Sequence, residues 1–363
     1  MVVDLDALEA AGVANARDRA ALIEYLNGLG FTADEMVEAE RHGRLFGLAG
    51  DALQRSGRPT YSLRTAADAL GVPLPEIVGA WSALGLTVAS ADELALSEAD
   101  VQGLTTWVDI KALVGDDRAL GLLRVTGAAL ERLAEAQLAA VRAASTATQL
   151  NETRDELATA KAYHALAEFI PRTAAMIDAV LRHHLAGART HFEGVIRDSS
   201  ASVVCGIGFA DLSGFTALTQ LLSPTQLADL LNVFSGAVSD VVHADGGRVV
   251  KFIGDEVMWV TSTPERLVKV AVDLVEHPRA REAGLGVRAG VGYGSVLAIA
   301  GDYFGNPVNL AARLVAAAAP GQILASAEVH DALPNWPAVV QDALMLKGFD
   351  APVTAYEMKV GGR

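Results

Sequence analysis

The chain is poor in cysteine, in basic charge and in long apolar runs. Its single cysteine, Cys205, rules out an internal disulfide and a cysteine-based zinc site. That residue lies in Val203-Val204-Cys205-Gly206-Ile207, an apolar run that marks a core thiol rather than a nucleophile. Although 51% of the 363 residues are hydrophobic, alanine inflates the figure and charges interrupt every segment. No transmembrane helix is expected. The opening residues Met1-Val2-Val3-Asp4-Leu5-Asp6 lack a basic stretch followed by an apolar core, so no signal peptide is expected. A reducing cytoplasm fits the lone thiol. The net charge of −15 argues against nucleic-acid or anionic-membrane binding by bulk electrostatics. It leaves room for an anionic nucleotide held through metal ions.

Residues 1–195 read as helix throughout, with apolar residues at helical spacing and turn signals such as Gly71-Val72-Pro73 between segments. Thr32-Ala33-Asp34-Glu35 has the form of a capping box. Tyr61 to Trp81 resembles a helix-turn-helix. A DNA-reading helix should carry basic or amide side chains toward the bases. The stretch from Glu76 to Leu84 offers no basic residue, and residues 1–120 hold 9 basic against 19 acidic side chains, a net −10. Protein packing is the expectation there. From Thr126 an Ala-rich segment without glycine or proline between Gly127 and Pro171 predicts one long helix or two nearly continuous ones, broken or kinked at Pro171. A further helix carries His183, His184 and His191 near the domain junction, where they read as exposed residues of a charged connector or, alternatively, as groups that bias an interdomain arrangement with pH.

Composition shifts at residue 200, where Val, Ile and Gly rise and strands begin. The first strand, Ser202 to Ala210, runs into Asp211-Leu212-Ser213-Gly214-Phe215-Thr216. A helix capped by Ser223 follows, then two strands around Gly254-Asp255, then a helix from about Thr263 to Glu276. Strands are predicted at 285–291 and 295–300, a helix opening near Asn306, a strand at 322–326, and a final pair near 344–346 and 354–358. The order βαββαβ with extra strands predicts an α+β chain: a ferredoxin-like sandwich over residues 200–361, with one helix-covered and one exposed face, behind an all-α region.

Three polar clusters stand at strand ends and turns: Asp211, Lys251 with Asp255, and Asp302 with Asn309 and Arg313. Two carboxylates on adjacent strand tips suit paired Mg²⁺ ions roughly 3.5–4 Å apart. The turn Leu212 to Thr216 can point backbone N–H groups at phosphates. Asn309 and Arg313, four apart on a helix, share one face and can reach a sugar oxygen and a charged phosphorus.

Phe209-Ala210-Asp211-Leu212-Ser213-Gly214-Phe215, Lys251-Phe252-Ile253-Gly254-Asp255-Glu256 and Asp302 with Val308-Asn309-Leu310-Ala311-Ala312-Arg313 resemble the three signature segments of class III nucleotidyl cyclases. The resemblance covers about residues 200–360. It implies that Asp211 and Asp255 hold two Mg²⁺ or Mn²⁺ ions, that Lys251 and Asp302 read the base, that Asn309 orients the ribose and that Arg313 stabilises the transition state. Lys347 matches a position that contacts the triphosphate. The family further implies a homodimer with composite sites, in which Lys251 and Asp255 serve different sites. A Lys ammonium only donates and an Asp carboxylate only accepts, so the pair is complementary to adenine and mismatched to guanine. ATP is therefore the expected substrate and cyclic AMP the product. The N-terminal half resembles the regulatory region of soluble mycobacterial-type adenylyl cyclases, which implies tuning by pH or by a fatty acid or lipid bound to the helical region. The alternatives are a guanylate cyclase or a non-catalytic nucleotide sensor. A diguanylate cyclase is disfavoured, because Ile253-Gly254-Asp255-Glu256-Val257 lacks that family's second glycine and its aromatic residue.

Overall fold

The computed structural model describes residues 3–53, 56–147, 155–192, 202–282 and 285–360. The chain divides into two compact units, Met1–Ala186 and Gly187–Arg363. Among the described residues no helix is long and apolar enough to cross a membrane.

The first unit is built from α1 (Leu5–Ala11), α2 (Ala20–Gly28), α3 (Ala33–Arg41), α4 (Leu48–Asp51), α5 (Leu63–Leu70), α6 (Leu74–Ala83), α7 (Glu98–Val114), α8 (Asp116–Ala147) and α9 (Glu156–Ala167). The helix α10 follows over Phe169–Phe192. Thr32 and Glu35 form the expected reciprocal cap of α3. The pair α5–α6 does make a helix-turn-helix, closed by Gly71 in the left-handed region (φ 65°). Its second helix buries Ile77, Ala80 and Trp81, and Lys111 of α7 pairs with Glu76 at its start. The long α8 crosses the end of α6 so closely that a Cβ on Gly127 would lie 2.5 Å from the Leu84 carbonyl oxygen.

Among the described residues the predicted run from 126 to 171 is two helices rather than one, the second of the alternatives the sequence left open, while its start and its break at Pro171 are corrected. α8 starts ten residues earlier, at Asp116. A separate helix, α9, begins at Glu156, where Asp155 accepts from the N–H groups of Leu157 and Ala158. Arg19 holds this new start: its Nε donates to Glu156 Oε2 at 2.6 Å while Nη1 donates to Glu40 Oε1 at 2.7 Å. The second break falls at Glu168 rather than Pro171. Pro171 sits in the first turn of α10, where its missing N–H leaves no helical bond unmade.

The second unit is one mixed sheet with helices on it. Its elements are β1 (Ser202–Ser213), α11 (Phe215–Thr219), α12 (Pro224–Ala244), β2 (Arg248–Ile253), β3 (Glu256–Thr261), α13 (Pro264–Val275), α14 (Pro278–Glu282), β4 (Gly286–Ile299), β5 (Asp302–Phe304), α15 (Asn306–Ala317), β6 (Ile323–Ala325), α16 (Ala327–Ala332), β7 (Ala338–Leu344) and β8 (Val353–Met358). The strand order is β2-β3-β1-β4-β6-β8-β7, with β5 paired to β4. Its first four strands, with α12 and α13, are the predicted α+β, βαββαβ core. Along β1 the even positions Ala210 and Leu212 pack with Trp259 and with Val242 of α12 and Leu267 of α13. The odd positions Cys205, Ile207 and Phe209 pack on the other face with Met258, Ala311 and Val315. Burial pushes the Cys205 thiol up to about 11, which fits an inert core residue.

Two strand expectations are corrected. The stretches 285–291 and 295–300 form one continuous strand, β4. Its glycines are close-approach positions rather than turns. A Cβ on Gly290 would lie 2.3 Å from the Ala311 carbonyl oxygen, and one on Gly292 would lie 2.8 Å from that of Pro307. The helix α15 therefore lies directly on this face, which is not the open face expected. In the final pair, β7 ends at Leu344, and Leu346 instead packs with Leu310 and Leu314 of α15.

Gly290→Ala should force α15 off the sheet. The expected cost is about 1–3 kcal/mol or more, read as a lower midpoint in denaturant unfolding, with a parallel loss of any function that uses α15. An unchanged midpoint would contradict this packing.

Candidate active site

Asp211 lies near the end of β1. It stands opposite Glu256 on β3 and opposite Arg288 on β4, so the three side chains share one face. Arg288 Nε donates to Asp211 Oδ2 at 2.8 Å. Its Nη1 donates to the Ala316 and Ala318 carbonyl oxygens at 3.3 and 3.4 Å. One guanidinium thus binds the carboxylate and closes the C-terminal end of α15, where a cation is favoured.

Asp255 occupies the tip of the β2–β3 hairpin. Ile253 pairs with Glu256, leaving a two-residue turn that opens with Gly254 at φ 65°. Burial pushes the Asp255 carboxyl above the usual aspartate range. Asp211 beside it adds to the rise, and Arg288 partly offsets it. Glu256 is raised for the same reasons: burial first, then the charges of Asp211 and Asp255. The three carboxylates thus feel one another's charge and that of Arg288, which is in contact with Asp211. Ser213 Oγ, two residues beyond Asp211, is buried with no hydrogen-bond partner among the described residues. Hard oxygen donors under mutual repulsion, next to an unmatched hydroxyl, fit a divalent cation such as Mg²⁺ or Mn²⁺. No three metal-binding side chains converge among the described residues. A cation here would rest on the two aspartates and complete its shell from water and phosphate oxygens.

Lys251 belongs to a second cluster. A bulge between Val249 and Lys251 shifts the register, so Lys251 stands opposite Met258. Regular pairing would have set it opposite Val257, on the other face of the sheet. Lys251 Nζ pairs with Asp302 Oδ2. The N–H of Tyr303 donates to Asp302 Oδ1 at 2.9 Å, so both carboxylate oxygens are engaged. Asp302 follows the turn Ala300-Gly301, which joins β4 to β5 with φ of 54° and 81°. Lys251 is four residues from Asp255, but the charges acting on Asp255 are those of Asp211 and Arg288.

Asn309 and Arg313 are both exposed, one turn apart on α15, while Leu310 and Leu314 of the same helix are buried. Lys347 is exposed in the β7–β8 connection beside Leu346, whose packing on α15 holds that connection near the helix. Leu212 and Phe215 are core residues, and Gly214 adopts φ 90° before the five-residue helix α11. The backbone of this turn, not its apolar side chains, is what it can offer a ligand. The side chain of Thr216 lies outside the described residues, as does that of His191. His183 and His184 are exposed on α10.

Sequence reasoning singled out neither Arg288 nor Glu256. Arg288 left one signal, a lone charge inside the apolar run Val287 to Val291. Glu256 left none beyond adjacency to Asp255, because only the β1–β3 register shows that it faces Asp211.

Comparison with known proteins gives a consistent picture. A family model described as the adenylate and guanylate cyclase catalytic domain matches residues 198–359. A second, described as the adenylate cyclase regulatory domain, matches residues 4–188. An uncharacterized protein of Mycobacterium tuberculosis is 67% identical over 98% of this chain and 94% of its own length. A pH-sensitive adenylate cyclase of Mycobacterium tuberculosis is 31% identical over 90% of this chain and 82% of its own length. Among solved structures, the adenylyl cyclase CyaB from P. aeruginosa is 28% identical, covering 44% of this chain and 95% of that one at a TM-score of 0.40.

The raised carboxyl of Asp255 has a signed consequence. Its folded pKa lies above the unfolded value, so its contribution favours folding at low pH and is lost as pH rises through the folded pKa. At neutral pH in metal-free protein the ionised group is a net cost. Asp255→Asn should therefore raise the melting temperature at pH 7 in the presence of chelator, with the gain fading below the normal aspartate range. A lower melting temperature at pH 7 would contradict the crowding of charge seen here.

Proposed function

We propose that this chain, which belongs to the class III nucleotide cyclases and carries an adenylate cyclase regulatory domain in its N-terminal half, converts ATP to 3′,5′-cyclic AMP and pyrophosphate as a homodimer. The observation that carries the choice of ATP is the Lys251–Asp302 pair. Adenine presents an acceptor at N1 and a donor at N6, which match the ammonium and the carboxylate. Guanine would set donor against donor and acceptor against acceptor, at a cost of several kcal/mol in unpaired groups, roughly 1–3 for each.

Asp211 and Asp255 would hold two Mg²⁺ or Mn²⁺ ions, which would supply Lewis acidity at the α-phosphate and at the ribose 3′-oxygen. The side chain of Asn309 orients the ribose so that its 3′-oxygen lies in line with the α-phosphorus. The guanidinium of Arg313 donates to the phosphate oxygens as charge grows on them. Backbone N–H groups of Leu212 to Thr216, and Lys347, steady the triphosphate. A bond forms between the 3′-oxygen and the α-phosphorus as the hydroxyl proton passes to solvent water. The bond from that phosphorus to the bridging oxygen breaks, and pyrophosphate leaves with the electron pair. No side-chain nucleophile takes part.

Lys251 and Asp255 are assigned to different sites of the dimer. Two observations support this: Lys251 is committed to Asp302, and Asp255 is grouped with Asp211. The N-terminal unit is assigned a regulatory role. The relative named for pH sensitivity supports pH as an input through His183, His184 or His191, and a fatty acid or lipid is the second candidate. The working location is the cytoplasm.

Purified full-length protein given ATP or GTP with Mg²⁺ or Mn²⁺ should yield cyclic AMP, with ATP preferred; cyclic GMP as the sole product would overturn the reading. Asp211→Ala should abolish turnover and leave the oligomeric state unchanged. Arg313→Ala should lower kcat about 10²–10³-fold with little change in KM, the pattern of a group acting mainly in the transition state. Replacing Lys251 by Glu and Asp302 by Cys together should weaken use of ATP. Unchanged ATP turnover in that double variant would refute the base-reading assignment.

A further inference from the structure

The strands that carry Lys251 and Asp302 share no backbone ladder. β2 pairs with β3, β5 pairs with β4, and β3 and β1 lie between β2 and β4 in the sheet. Backbone hydrogen bonds therefore do not fix the separation of the two side chains. Among the described contacts, two between polar side chains span β2 and β5. One is the Lys251–Asp302 pair itself. The other joins Arg248 to Tyr303: Arg248 Nη2 donates to Tyr303 Oη at 2.8 Å, and the guanidinium carbon lies 5.4 Å from the ring centroid.

The geometry ties this second contact to the first. Arg248 stands opposite Val260, and Lys251, after the bulge, stands opposite Met258. Val260 and Met258 point to the same face, so the bulge brings Lys251 round to the side on which Arg248 already lies. On the other strand, Tyr303 follows Asp302 directly and donates its own N–H to the Asp302 carboxylate at 2.9 Å. A shift of the Tyr303 ring is thus passed to that carboxylate through a single peptide unit. Beyond this, the Asp302 end is held by the short ladder of β5 on β4 and by packing of Tyr303 against the cluster of Cys205, Ile207 and Met258. β5 is three residues long, and the turn before it places Ala300 in the left-handed region, which disfavours side chains other than glycine by about 1–2 kcal/mol.

We propose that Arg248 and Tyr303 are positioning residues for base recognition. They clasp β5 to β2 so that the Lys251 ammonium and the Asp302 carboxylate are presented at the spacing a purine edge requires. The inference rests on the adenine reading of Lys251 and Asp302. Neither residue touches Asp211, Asp255, Asn309 or Arg313 among the described contacts. Loosening the clasp should therefore act on binding and base choice and spare the chemical step.

The test uses the full-length enzyme with KM and kcat measured for ATP and GTP, beside thermal melts. Tyr303→Phe removes the acceptor and keeps the ring. Arg248→Met removes the donor and keeps the aliphatic stem. Each should raise KM for ATP roughly fivefold, reduce the preference for ATP over GTP by a similar factor, and leave kcat within about twofold. The double variant should be little worse than either single one, because both break the same contact. If either variant folds poorly, Arg248→Lys supplies the same readout with charge retained and the fork geometry lost. Unchanged KM and base preference would overturn the proposal. So would a fall in kcat that follows the melting temperature while KM stays constant, since that marks a merely structural brace. Lys251→Ala and Asp302→Ala separate the two levels. If they too leave KM and base preference untouched, the adenine reading fails and the clasp with it. If they change base preference and the clasp variants do not, only the clasp is wrong.

Discussion

The active end of the sheet depends on the guanidinium of Arg288. It donates to Asp211 and to the last carbonyls of α15, the helix that also presents Asn309 and Arg313. Remove it, and among the described residues Asp211, Asp255 and Glu256 lose the one cation that acts on all three. Even with it, burial first, and then the neighbouring acids that Arg288 only partly offsets, raises the carboxyls of Asp255 and Glu256. Under the proposed two-metal reading, divalent ions bound there would relieve this cost, and local stability would be exchanged for cation affinity.

The backbone makes this possible by removing side chains where a helix must come close. Gly290 and Gly292 let α15 lie directly on β4, which is why its C-terminal end reaches Arg288. On the facing layer, a Cβ on Gly208 would lie 2.1 Å from the Trp259 ring, so the buried indole fills the space that glycine leaves. The bulge in β2 does the complementary task of turning Lys251 toward Asp302. Small residues and one register shift thus place charged groups that regular alternation would have sent elsewhere.

Much of this was legible in the sequence where a local rule decides the outcome. The caps at Thr32 and Ser223 announce α3 and α12, and the Gly254-Asp255 turn announces the β2–β3 hairpin. The βαββαβ order followed from such signals, and the positions of Asp211, Lys251, Asp302, Asn309 and Arg313 followed from segment resemblance. What stayed hidden depends on contacts distant in sequence. The start of α9 is held by Arg19, more than a hundred residues away. The gap left between the predicted strands 285–291 and 295–300 closes because Gly292 admits a helix that comes later in the chain. Arg288 and Glu256 have meaning only once the register of three strands is set.

The central claim is that Asp211 with Asp255 and Lys251 with Asp302 complete each other's sites across a dimer. It is tested most directly by mixing two variants, Asp211→Ala and Lys251→Ala, assayed at an ATP concentration too low for either alone to turn over appreciably. Random pairing of the two chains makes half of the dimers mixed, and each mixed dimer holds one intact site. The mixture should recover roughly a quarter of the wild-type rate. Activity no greater than that of the separate variants, in a mixture shown to exchange subunits, would contradict the claim and place a whole site within one chain.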